Sequence, residues 1–397
     1  MSIELTKKQQ LGLELAVDRF NRGEKYTVIA GYAGTGKSTL VRFIIDALHI
    51  PEDSVCYATF TGKAAEVLRK KGNKNAETLH RLLYNNIPKP DGTFYRRPKE
   101  SLDYDLVVVD EISMVPNKFI ELLFSYNCHV ICLGDPYQLP PIDKNDANTL
   151  LDNPHIFLDE IMRQEAESEI IQLTMKIRNG EPIEPFDGKD IKVIRKSELN
   201  TGMLQWADEI ITSTNATRAM INRQVRELNG FSGPLQSGEK VICLKNYWDD
   251  TSINGDALVN GLTGITEQCW DSYISLPYFI TKPIRYFETK RFDLRVDNDV
   301  FKNIECDKSL IETGRKCCDN KLAWKLGKYK TKYGNLVPRE FDFGYAITCH
   351  KAQGSEWDKV LVIEEKFPYP KEEHNRWLYT ASTRASEKLV LVLADNR

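Results

Sequence analysis

A chain of 397 residues is long enough to bury two or three separate cores. Its 41% hydrophobic and 28% charged residues read as a soluble globular protein; no apolar run nears the ~20 residues that cross a bilayer, and "MSIELTKKQQ" lacks a signal-peptide segment, so a cytoplasmic location is expected. The net charge of −3 argues against coating nucleic acid by bulk charge but not against gripping one strand locally, and nine scattered cysteines without a C-x-x-C pair suit a reducing compartment and indicate neither a disulfide framework nor a zinc site.

Up to about residue 160, short apolar runs ("YTVIA", "SVCYATF", "DLVVVDE", "HVICLGD") alternate with helical patterns, which predicts a parallel sheet with helices on both faces. The first run leads into "GYAGTGKSTL", residues 31 to 40, of the form G-x-x-x-x-G-K-[ST] from Gly31 through Gly36 and Lys37 to Ser38. Its glycines let the backbone wrap an anion, so that N–H groups over Gly34, Thr35, Gly36, Lys37, Ser38 and Thr39 face phosphate oxygens at the positive end of the next helix. Lys37 would reach the β- and γ-phosphates, and Ser38 would give its hydroxyl to Mg²⁺.

The alternation breaks at "NNIPKPDGTFYRRPKESLD", residues 85 to 103, where prolines and Asp91-Gly92 surround Phe94 and Tyr95. This predicts a small protruding hairpin inserted into the first domain. Next, "LVVVDEISM" ends a buried strand in Asp110, a ligand for the metal, beside Glu111, a general base for the attacking water. Both sit at the carboxyl end of a strand, where open α/β sheets place ligands. In "VICLGDPYQLPPI", residues 130 to 142, Gln138 lies on the loop beyond a strand. A neutral amide there can bond the γ-phosphate or the lytic water and change partners when the phosphate leaves.

A second alternating region opens near Asp190 with "DIKVIRK" and "ADEIITSTN", followed by the helical "ATRAMINRQVREL". From 231 to 339, short strand-like runs separated by Gly, Asn and Asp clusters predict an all-β insertion. The α/β pattern then resumes in "FGYAIT", "DKVLVIEE" and "KLVLVLA". Between Asp319 and Glu340 there is no carboxylate, while Lys321, Lys325, Lys328, Lys330, Lys332 and Arg339 fall there with Trp324, Tyr329 and Tyr333 interleaved. Single-strand contact and a solvated charged face both fit this stretch.

The series of segments resembles superfamily 1B helicases, the RecD and phage Dda branch with 5′-to-3′ polarity. "LTKKQ" (5 to 9) resembles the motif whose glutamine, here Gln9, reads adenine, "GYAGTGKST" is similar to motif I, and "ATFTGKAAEVL" (58 to 68) to motif Ia. "ETLHRLL" (77 to 83) resembles the next DNA-contacting motif, "VVVDEISM" motif II and "GDPYQLPPI" motif III. "LDEIMRQ" looks like the segment that supplies a first arginine, Arg163, to the γ-phosphate. "AITCHKAQGSEWDKVLV" (346 to 362) resembles motif V, with Gly354 near the nucleotide, and "LYTASTRASEKLVLV" (378 to 392) motif VI, with Arg384 as the second arginine. Guanidinium groups from a facing domain would neutralise charge developing on the γ-phosphate and let the cleft close only while that phosphate is present.

The resemblance implies an α/β fold of two RecA-like P-loop domains with a small hairpin in the first and an SH3-like all-β insertion in the second. Its divisions are domain 1A at 1–84 and 100–165, pin 1B at 85–99, domain 2A at 166–230 and 340–397, and insertion 2B at 231–339. It implies strand contacts at Thr59, Thr61, Lys63 and His80 in the first domain and at Asn215, Thr348, His350 and Lys351 in the second, although His80 and His350 also fit as core histidines. Phe94 or Tyr95 would stack on a junction base. The implied activity is ATP-dependent DNA unwinding with 5′-to-3′ translocation, driven by Mg-ATP hydrolysis between the two domains. The alternative is an ATP-driven single-strand translocase that remodels protein–DNA complexes with little unwinding. Expected partners are single-stranded DNA and its junctions with duplex, together with single-strand-binding, replisome or recombination proteins, for a monomer in a bacterial or phage-infected cell.

Overall fold

The computed structural model describes residues 4–88, 94–141, 146–162, 167–281, 283–329, 332, 334–365 and 370–394. The chain forms two compact units, Met1–Leu83 with Lys99–Asn215 and Thr348–Arg397, and Tyr84–Pro98 with Ala216–Ile347.

The first unit contains two largely parallel sheets. In one, strands lie in the order Ala76–Thr78, Val55–Thr59, Leu106–Val109, His129–Gly134, Tyr26–Gly31 and Ile156–Leu158, and every neighbouring pair is parallel. Leu106–Val109 and His129–Gly134 are buried along their whole length. Strands covered on both faces have no polar side to show, which is why they read as unbroken apolar runs. Ile29, Leu40, Ile44, Leu106, Val108, Ile131 and Leu133 pack into one core. Three strands followed by candidate site loops, Leu106–Val109, His129–Gly134 and Tyr26–Gly31, are immediate neighbours, so their carboxyl ends deliver those loops to one place.

The second sheet of this unit runs Glu209–Thr212, Trp357–Ile363, Ala385–Leu393 and Ile191–Arg195 in parallel, with Phe186–Asp187 antiparallel beside the last. Helix Lys371–Ser382 precedes Ala385–Leu393 and buries Trp377, Leu378, Tyr379 and Ala381. Among the described residues no helix is long and apolar enough to cross a membrane.

In the second unit, Tyr84–Pro88 pairs antiparallel with Phe94–Pro98, with Tyr84 opposite Pro98, so the hairpin read at 85–99 is present at 84–98. Its residues 89–93 lie outside the described residues, as do the side chains of Phe94 and Tyr95. A five-stranded antiparallel sheet follows the order Asp299–Asp307, Tyr286–Val296, Thr263–Ser275, Lys240–Cys243 and Phe341–Phe343. Val241, Phe292, Leu294, Phe301 and Phe341 fill its core.

The insertion departs from the sequence expectation in two ways. Phe343 pairs with Val241, so the sheet runs past residue 339. It is also not all-β, because Lys308–Thr313 and Asn320–Gly327 are helices. The physical reason lies in Asp307 and Asp319, which read as turn residues between strands but cap these helices by accepting from Leu310 N at 3.0 Å and Leu322 N at 2.7 Å. The second helix seats Leu326 with Leu276, Phe287, Cys318 and Leu336 in a small core of its own.

Candidate functional site

The loop after Tyr26–Gly31 turns through Gly34 and Gly36, both left-handed at φ 74° and 75°. A Cβ on Gly36 would meet Gln9 Nε2 at 2.6 Å, so the loop's close approach to the first helix requires glycine there. Lys37, the first residue of helix Lys37–Leu48, folds over the loop and donates from Nζ to the Gly31 and Tyr32 carbonyls at 2.7 and 3.0 Å. Thr35 is buried and donates to Tyr32 O at 2.8 Å, while Ser38 is exposed and Thr39 half-buried at the helix start. Gln9 is buried in a capping box: Oε1 accepts from Thr6 N at 2.9 Å, and Nε2 donates to Thr35 O at 3.1 Å. In this structure Gln9 therefore ties the first helix to the phosphate loop.

Asp110 Oδ1 accepts from Glu111 N at 2.8 Å. Burial and then the neighbouring Glu111 charge raise the Asp110 carboxyl above its usual range, against the pull of Lys37. Among the described residues no group of three or more His, Cys, Asp or Glu could hold a metal alone. One hydroxyl and one carboxylate beside a triphosphate are nevertheless what Mg²⁺ takes, because it keeps waters and completes its shell with phosphate oxygens. Ser38 and Asp110 fit that role.

Glu111 occupies a left-handed backbone conformation at φ 53°, uncommon for a residue with a side chain and often associated with function. Its carboxylate meets two predicted partners. Gln138, with its amide nitrogen turned to Glu111 and its oxygen to Arg384, donates to Glu111 Oε2 at 2.7 Å and accepts from Arg384 Nη2 at 3.2 Å. Arg384 Nη1 lies 3.6 Å from Glu111 Oε1. The buried guanidinium is aimed by its donations to Thr380 O at 3.1 Å, Ser355 O at 3.3 Å and Thr383 Oγ1 at 3.1 Å. A carboxylate, an amide and a fixed cation thus converge from three separate motifs.

A second set of contacts joins the same motifs through residues to which sequence reasoning gave no role. Tyr379 OH donates to Asp135 Oδ2 at 2.5 Å and accepts from Ala33 N of the phosphate loop at 2.9 Å. Burial, then the adjacent Asp135 charge, pushes the Tyr379 phenol well up and keeps it a neutral donor, while burial also raises Asp135. Leu139 N donates to Thr380 Oγ1 at 3.0 Å, and Gln353 Nε2 donates to Leu139 O at 2.9 Å. Arg178 covers the Tyr32 ring at 3.6 Å. The signal that could have found Tyr379, Asp135 and Gln353 is their position inside the quoted "LYTASTRA", "GDPYQ" and "HKAQGSEW" segments.

The predicted strand-contact residues divide. Thr59 is buried and donates to Thr61 O at 2.9 Å, while Thr61 caps helix Gly62–Lys70 by accepting from Ala64 N at 3.3 Å. Lys63 Nζ stands 4.3 Å over the Trp357 ring. His80 is half-buried against Phe119 at 4.6 Å and Phe60 at 5.8 Å, which supports its packing role. Asn215 and His350 are exposed, and Thr348 and Lys351 are half-buried. Gly354, at φ 73°, lies where a Cβ would meet Ala64 Cβ at 2.9 Å and Thr61 Oγ1 at 3.2 Å, and so serves the approach to that segment. Arg163 lies outside the described residues.

Parallel sheets, a phosphate loop and an arginine delivered from a later motif define a P-loop fold of RecA-like build with the groups of a nucleotide site. Family models agree: residues 5–195 match an AAA domain and residues 343–392 a UvrD-like helicase C-terminal domain. Among curated relatives, the chain is 26% identical over 92% of its length to the ATP-dependent RecD2 DNA helicase of Deinococcus radiodurans. It is 29% identical over 45% of its length to the ATP-dependent DNA helicase dda of Enterobacteria phage T4. It spans 46% of the former and 43% of the latter. The fold matches the Pif1 helicase from Bacteroides, solved in complex with ADP-AlF3 and ssDNA, at a TM-score of 0.52 and 19% identity, covering 98% of this chain and 92% of that one. By these matches the chain is similar to the superfamily 1B helicases of the RecD and Dda type, and to the Pif1 helicase in fold.

Proposed function

We propose that the protein is an ATP-dependent DNA helicase that moves 5′-to-3′ along single-stranded DNA and separates duplex ahead of it. The observation that carries this reading is the convergence of Glu111, Gln138 and Arg384 beside the phosphate loop. With a nucleoside triphosphate in the loop, Lys37 leaves its carbonyl partners for the phosphates, and Glu111 accepts the proton of the attacking water. Arg384 neutralises charge on the departing γ-phosphoryl group, and Gln138 exchanges its two partners as that group leaves. Ser38 and Asp110 would hold magnesium, which when bound would neutralise charge on the triphosphate. Arg163, the first arginine of the series, adds its guanidinium to that of Arg384.

The strand is held at Lys63, Asn215, Thr348, His350 and Lys351 through phosphate contacts, which position without reading sequence. The working divisions are 1A, 1B, 2A and 2B, with the hairpin 1B taken at Tyr84–Pro98 and the insertion 2B carried on through Phe343, in a cytoplasmic monomer acting on single strands and junctions. The test is steady-state ATP hydrolysis with and without oligothymidylate. Stimulation by the oligonucleotide, abolished in Lys37→Ala and Arg384→Ala, is the expected result; hydrolysis indifferent to nucleic acid contradicts the helicase reading while leaving the triphosphatase.

A further inference from the structure

Helix Asn320–Gly327 is seated by Leu326, with Leu322 and Ala323, on Leu276 and Phe287. The side away from that core carries Lys321, Lys325 and Trp324, whose indole is 60% exposed. Tryptophan is highly buried on average, so an indole left this open is not explained by packing. Lys328, one turn on, holds its Nζ 3.5 Å over the same ring. The neighbouring elements present further aromatic rings: Tyr278 is 52%, Phe279 62% and Tyr286 54% exposed. They sit in pairs: Phe279 meets Tyr329, which follows Lys328 in the chain, at 5.8 Å, Arg285 lies 5.6 Å from the Tyr278 ring, and Tyr286 meets Tyr273 at 6.2 Å. Exposed aromatic surface on neighbouring elements, rimmed by lysines, fits an interaction site.

Charge selects the occupant. The segment between Asp319 and Glu340 contains no carboxylate, and the acidic groups on the adjoining strands are already matched. Asp271 is paired with Lys290 and Lys308, each at 3.0 Å, and Glu288 lies 3.7 Å from Lys308. Open aromatic faces among lysines match a polyanion with unstacked planar rings, because each base offers a π-face and each phosphate a charge. A duplex keeps its base faces stacked inside and matches less well.

We propose that this part of the insertion is a single-stranded nucleic-acid surface, with Trp324 and Phe279 stacking bases and Lys321 and Lys328 holding phosphates. The proposal rests on the helicase reading only in taking single strands as the polymer the protein meets. The test titrates the full chain with fluorescein-labelled oligothymidylate over a salt series. Trp324→Ala with Phe279→Ala should weaken binding roughly tenfold without changing the slope of log affinity against log salt, the loss of stacking. Lys321→Ala with Lys328→Ala should lower that slope by about 1.4, two phosphate contacts at ~0.7 each. Hydrolysis without nucleic acid should stay at the parent level in both pairs, and Trp324→Phe should retain binding. Ultraviolet crosslinking of the unaltered chain to the oligonucleotide should map to the peptide carrying Trp324. Parent affinity and slope in both pairs, with no crosslink on that helix, overturns the proposal and leaves an acidic protein as the occupant. An unaltered chain that binds no oligonucleotide overturns the helicase reading as well.

Discussion

At the scale of single residues, the site works through how few atoms remain uncommitted. Arg384 makes three donations to its own surroundings and still faces Glu111 and Gln138, so its guanidinium cannot be replaced by a point charge. Arg384→Lys should therefore lose nearly as much turnover as Arg384→Ala, a fall of about 10³- to 10⁵-fold in single-turnover hydrolysis. Glu111→Gln keeps the shape but removes the proposed base; kcat should drop by about 10²- to 10⁴-fold while nucleotide binding, followed by a fluorescent analogue, persists. Tyr379→Phe leaves buried Asp135 and Ala33 N short of one partner, which should cost about 1–3 kcal/mol in urea unfolding and raise the KM for ATP. That Glu111, Gln138 and Arg384 lie together was readable from their places in the ordered series of motifs rather than from any one residue alone. Tyr379 was not, because a tyrosine in "RWLYTAS" on an apolar helix looks like packing until its hydroxyl partners, distant in sequence, are known.

At the scale of elements, strand Tyr26–Gly31 is flanked by two histidines that burial holds toward the neutral form. His155 Nδ1 accepts from Val28 N at 2.9 Å, and His129 bridges Glu24 O at 2.7 Å and Thr27 Oγ1 at 3.1 Å. Burial is the main cause that depresses both below the ordinary value of 6.5. The unfolded chain therefore binds these protons more readily. Their stabilising contribution is fully present above about pH 6.5 and declines as pH falls through that value toward the depressed ones. Urea midpoints should drop across that window, and His129→Asn with His155→Asn should flatten the drop. In the insertion, Arg226 holds fully buried Glu239 through Nε and Nη2, at 3.0 and 2.9 Å to its two oxygens. Glu239→Ala strands the cation and should destabilise by about 3–5 kcal/mol, read by chemical denaturation. For the hairpin, Phe94→Ala and Tyr95→Ala should lower unwinding far more than DNA-stimulated hydrolysis; equal losses in both would remove its role as a wedge. The parallel strands were readable from their unbroken apolar runs, whereas the two capped helices of the insertion were not, since an aspartate cap and an aspartate turn share one signal.

For the whole molecule, the two parallel sheets followed from alternation along the chain, but its two compact units do not follow chain order. The hairpin at Tyr84–Pro98 belongs with Ala216–Ile347, a grouping made through space that no linear pattern records. The central claim is that hydrolysis at Glu111, Gln138 and Arg384 drives directional strand separation. Its most direct test is displacement from two matched partial duplexes, one with a 5′ and one with a 3′ single-stranded tail, with ATP and Mg²⁺ and Lys37→Ala as the blank. Displacement from the 5′ tail alone is the predicted result. Displacement only from the 3′ tail would contradict the polarity, and DNA-stimulated hydrolysis without displacement from either would contradict the helicase and point to a translocase.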